Sequence, residues 1–178
     1  MASKVPPEIE TLAQHTRALA NVVNNEPDLA CVLITGSFLD QCLASLLRRY
    51  FVKSNTADNL LNFQGDLGTF ASRVHICYCL GLITRGMLHN LETIGAIRNR
   101  FGHTHLSLDF ADPDVQALCD KLSFPRAHVV ISSQGDDPFA RIQGSRNRFS
   151  TIAFMLANRL LLTGLATKHR DRLDEGWE

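Results

Sequence analysis

From Asp28 to Lys53 apolar side chains recur at helical spacing on two sides of one segment. Ile34, Phe38 and Cys42 fall on one side; Leu39, Leu43, Leu46, Leu47 and Tyr50 fall on the other. A helix that apolar cannot lie on a surface with one flank wet. It needs cover on both, from its own domain or from a partner chain. That requirement points to helices packed on helices.

The rest of the chain agrees with an all-α reading. Pro6-Pro7 opens a first helix through about Asn25, with Ile9, Leu12, Leu19 and Val23 inward, and Glu26-Pro27 interrupts it. After a polar stretch at 54–65, with one helical turn expected at Leu60-Leu61, Asp66 or Thr69 caps a third helix that Gly81 stops. Thr84 caps a fourth, with Met87, Leu88, Leu91, Ile94 and Phe101 inward and Gly102 as its kink or end. Asp112-Pro113 starts a short fifth helix through Leu122, and a last one spans about Ser145 to Lys168.

The expected fold is therefore a single all-α domain, a helical bundle of four to six helices with room for one short β element around 127–132, at Val129-Val130-Ile131. Its parts are an N-terminal helix (1–26), a core (27–122), an irregular segment (123–145), a C-terminal helix (146–168) and a charged, frayed tail (169–178).

Composition narrows the function. Lys+Arg and Asp+Glu are equal at 18 each, so no global field draws the chain to nucleic acid or lipid, and a polyanion site has to be a local patch. The five cysteines, Cys31, Cys42, Cys77, Cys79 and Cys119, are odd in number and sit in helical apolar stripes, which predicts reduced, core-packed thiols in a cytoplasmic protein. The N-terminus lacks the apolar core of a signal peptide, and no run of about 18 uncharged apolar residues suggests a membrane span. No metal and no cofactor is expected: His103, His105, Asp109 and Asp112 lack the spacing of a strong zinc signal.

One cluster carries chemistry: Arg98-Asn99-Arg100-Phe101-Gly102-His103, at the end of the fourth helix. Arg98 follows Ile94 and Leu91 on their own apolar stripe, so it must reach solvent along its stem, pair with an acid, or face a cleft. Arg98 and His103 are five apart, about 140° around a helix, and Asn99 stands four before His103. A guanidinium grips phosphate oxygens, an imidazole titrates near neutrality, and an amide orients either. Together they can cleave RNA in line through its own 2′-hydroxyl without metal. The same residues also suit plain capping of a helix C-terminus.

Arg98-Asn99 followed by His103 on a late helix of an all-α bundle resembles the HEPN superfamily, the higher-eukaryote and prokaryote nucleotide-binding domains. The stretches FQGDLGTFASRVHICYCLGLI (63–83), LETIGAIRNRFGH (91–103) and LSLDFADPDVQALCDKL (106–122) resemble, more specifically, the mannitol operon repressor (MltR) family, over about half the chain. The first resemblance implies a dimeric, metal-independent ribonuclease of toxin, defence or RNA-processing type. In it His103 is the general acid/base, Arg98 holds the scissile phosphate and Asn99 positions. The second implies a regulator of sugar utilisation.

The leading expectation is accordingly a metal-independent endoribonuclease with catalytic Arg98, His103 and Asn99, and with Arg100, Arg73, Arg146 and Arg148 binding substrate. The alternative is a non-catalytic transcriptional regulator or protein-interaction module. Either is expected as a cytoplasmic homodimer off the membrane, with RNA, an antitoxin or a regulatory protein as partner.

Overall fold

The computed structural model describes residues 25–103, 108–124 and 142–171, together with residues 7, 10, 11, 14, 16, 19, 20 and 23, the side chain of residue 103 excepted. The expected strand at 127–132 lies outside them. Six helices follow in order: α1 (Asp28–Tyr50), α2 (Asn55–Leu61), α3 (Phe70–Cys79), α4 (Arg85–His103), α5 (Pro113–Lys121) and α6 (Ser145–Ala166). Among the described residues there is no strand, and those before Glu26 are helical, with Leu19 and Val23 in the core.

Local chemistry sets the helix starts. Ser54 caps α2 through Ala57 N–H, and Thr69 and Ser72 form a reciprocal capping box at α3. Thr84 Oγ1 accepts from Met87 N–H at α4, and Asp112 accepts from Asp114 and Val115 N–H at α5, where Pro113 has no N–H to satisfy. Gly81, at φ 71°, turns the chain out of α3 in the left-handed region.

α1 is central, packing on α2, α3, α4 and, most extensively, α6. Leu39, Leu43, Leu46 and Leu47 are almost fully buried, each contributing about 1.5–3 kcal/mol of transfer free energy. By length and composition α1 and α6 could each cross a bilayer. Here they lay much of that surface on one another instead. The cover on α1 is incomplete: Phe38 and Cys42 are buried, whereas Leu29, Leu33 and Ile34 are exposed.

Side-chain bonds to distant carbonyls lock the bundle. Arg146, at the start of α6, reaches Val23 and Glu26 carbonyls and pairs with Asp28, whose other oxygen accepts from Phe110 N–H. Arg49 bonds the carbonyls of Gly164 and Thr167, so it solvates the C-terminus of α6 rather than that of its own helix. The tail is docked as far as described: Arg170 bonds the Tyr50 hydroxyl and His169 the Phe51 carbonyl. Arg-Asn-Arg-Phe occurs twice, at 98–101 and 146–149, and both phenylalanines, Phe101 and Phe149, pack on Phe110.

Candidate functional site

Arg98 emerges from α4 beside Gly36 of α1. A Cβ at Gly36 would come within 2.7 Å of Arg98 Cδ, so this glycine lets the arginine stem lie flat across α1. Arg98 is partly buried, and among the described residues it makes no hydrogen bond or ion pair. It lines a cavity of about 430 Å3 with Asn99, Gly95 and Ala96 of α4 and Thr69, Phe70, Val74 and His75 of α3. His75 and Glu92 pair across its rim at 3.0 Å.

An unpartnered guanidinium beside a free amide in such a cavity can hold an anion. At the cap of α3 beside it, the N–H groups of Thr69 and Ser72 are taken up by the reciprocal side chains. His103 closes α4, and the direction of its side chain lies outside the description, so its meeting with Arg98 stays an expectation.

The arginines expected to bind substrate are otherwise engaged. Arg73 is buried and pairs with Asp40 at 2.6 Å while donating to the Leu61 and Leu67 carbonyls. Arg100 pairs with Asp114. Arg146 is held by Asp28 and two carbonyls, and Arg148 forks onto the Leu122 carbonyl with its guanidinium over the Phe124 ring. Each position reads as basic in the sequence, and each spends donors on the fold.

Among the described residues no cluster of His, Cys, Asp or Glu could hold a metal. Asp109 accepts from Ala111 N–H and Asp112 caps α5. All five cysteines are free; Cys79 is exposed, contrary to a fully core-packed set, and the other four are buried. Burial pushes the thiols of Cys42, Cys77 and Cys119 up to about 12. Cys31 also moves up by burial, opposed by the nearby Arg146 charge.

Sequence reasoning missed a second cavity, of about 840 Å3, between the start of α4, the exit from α5 and the second half of α6. Met87, Phe124, Ile152, Met155, Leu156 and Leu162 line it. Apolar side chains at helical spacing carry the same signal whether they face a core or a groove.

A family model described as "Mannitol repressor" (MtlR) matches residues 18–158 of the chain. The solved X-ray structure of the MtlR-HPr complex from Escherichia coli holds a chain of like fold, with a TM-score of 0.63 and 19% identity, covering 83% of this chain and 98% of that one. No curated protein matches.

Proposed function

The chain belongs to the mannitol repressor (MtlR) family, and from that premise we propose that it is a non-catalytic cytoplasmic regulator acting through a bound protein partner. What carries the reading is the family match over residues 18–158, seconded by a fold shared with nearly the whole of an MtlR solved in complex with HPr. HPr, or a protein like it, is the partner class we infer.

The charge distribution favours a protein partner over a direct grip on DNA. A protein loses affinity steeply with salt when it neutralises phosphates with free Lys and Arg, and such binding needs a basic face. Net charge here is zero, and Arg49, Arg73, Arg100, Arg146 and Arg148 each have internal partners. The exposed Leu29, Leu33 and Ile34 on α1 support the homodimer as the form in which the regulator works.

Calorimetric titration with HPr from the same organism tests this. Saturable binding is expected; absence of heat at tens of micromolar of either protein removes the partner reading.

A second reading stays in play because Arg98 is unpartnered among the described residues and shares an open cavity with Asn99. In it Arg98, Asn99 and His103 cut RNA without metal. Mixed RNA incubated with the protein in EDTA decides it. Cleavage lost in both Arg98→Ala and His103→Ala supports catalysis, and no cleavage by the wild type ends it.

A further inference from the structure

The groove of about 840 Å3 has a defined floor, walls and lip. Its floor is the buried Ile152 and Leu156; its walls are Met87, Phe124 and Met155; its lip is Leu162, which is 58% exposed. Volume and lining fall within the range of small-molecule pockets, which are mostly apolar with a few polar groups to fix orientation.

The walls are held in place. The Asn90 side-chain amide clamps Ser123 at two points, donating to its carbonyl at 2.8 Å and accepting from its N–H at 2.9 Å. His89 bonds the Lys121 carbonyl, and Arg148 bonds Leu122 while covering the Phe124 ring. The chain leaving α5 is thus fixed against α4 and α6, and Phe124 with it. A groove that exists before its ligand arrives loses little entropy on binding.

Among the described residues one charged side chain lines this groove. The guanidinium of Arg159 stands on α6 one turn before Leu162, and among the described residues it makes no hydrogen bond or ion pair. An apolar trough with one free cation at its edge complements an apolar body carrying one anionic group. Thr84 and Asn158 also line it, but apolar side chains dominate, so it complements a polyol less well, since most of its hydroxyls would be stripped of water against methionine and leucine. We propose that this groove binds an amphipathic carboxylate, an acyl or aryl acid whose head pairs with Arg159 and whose body lies on Met87, Phe124 and Met155. Such a molecule would be a small effector of the regulator, at a site separate from the Arg98 cavity.

The chain supplies its own reporters. It has three methionines, Met1, Met87 and Met155, and two of them line the groove. In protein labelled with 13C at the methionine methyls, decanoate should shift Met87 and Met155 saturably and leave Met1 in place. Arg159→Gln should weaken decanoate about tenfold, the scale of one charge-assisted hydrogen bond, and leave the neutral analogue decanol unaffected. Leu162→Asp, which puts a second carboxylate at the lip, should abolish decanoate binding with an unchanged thermal melt. Absence of a saturable shift at Met87 and Met155 overturns the proposal. So does a decanoate affinity undiminished in Arg159→Gln, or an equal loss of decanoate and decanol, since the arginine would then not be reading a charged head.

Discussion

Arg73 and Asp40 meet at 2.6 Å in the seam between α3 and α1, with the arginine side chain 9% exposed. The same guanidinium spans the loop from Leu61 to Leu67 by bonding a carbonyl at each end. Arg73 therefore fastens α1, α3 and the intervening loop with one side chain.

Removing it leaves a carboxylate and two carbonyls without their donor. Arg73→Met should cost about 3 kcal/mol, the low end for deleting one member of a buried pair, because the Asp40 side chain is 26% exposed. Arg73→Lys should recover little, because an ammonium cannot reproduce three directed bonds of a planar fork. Urea denaturation followed by far-UV circular dichroism measures both.

Gly65 and Gly68 sit in the loop that Arg73 fastens. A Cβ would meet the Asn59 carbonyl oxygen at 2.2 Å in the first case and the Phe63 carbonyl oxygen at 2.4 Å in the second, both immovable backbone. Alanine at either position should lower the melting temperature by several degrees. Gly36→Ala is the contrast: the three atoms nearest its Cβ all belong to the flexible Arg98 stem, and it gains about 1 kcal/mol of helix propensity. Its stability should stay near wild type while any anion binding that depends on Arg98 falls.

The thiols predict an alkaline limit. Burial raises the folded pKa of Cys42, Cys77 and Cys119 to about 12, against the ordinary value of 9.0. Between those values the unfolded chain releases protons that the folded chain keeps. Stability is then full below about pH 9 and declines as pH rises toward 12. Thermal melts from pH 8 to 11 should fall progressively above 9. At pH 8 a thiol reagent should label Cys79 rapidly and the other four only on unfolding, which mass spectrometry reads directly.

Arg146→Ala should loosen the N-terminal segment without unfolding the bundle. The side chain holds the Val23 and Glu26 carbonyls and pairs with Asp28. Faster cleavage between residues 7 and 25 in limited proteolysis, with cleavage within α1 to α4 unchanged, is the expected pattern.

The helices were legible because their signals are local. Proline at position 27, the caps Thr69, Thr84 and Asp112, and Gly81 as a stop each act within one turn, and each marks an observed boundary. Residues 54–65 read as a single turn, yet α2 is seven residues long, because Ser54 caps it and its Asp58 pairs with Arg48 of α1. Ile34 read as needing cover from its own domain or a partner chain, and its own domain leaves it exposed, since a periodic stripe does not say which neighbour covers it. Among the described residues, the arginines are where residue type misleads most. Arg49 and Arg146 bond carbonyls 115 to 123 positions away, and a carbonyl carries no residue-type signal. Arg98 stood out by its place on an apolar stripe, and it does line a cavity. Arg159, by contrast, has no motif around it.

The packing of α1 on α6 bears on how the chain is made. The ribosome releases α1 well before its principal cover, since 94 residues (51–144) separate the end of α1 from the start of α6. Until α6 emerges the leucines of α1 lack their most extensive cover, which is the condition under which nascent chains recruit chaperones or coalesce. Truncation within α6 should therefore yield insoluble product rather than a shortened but folded protein.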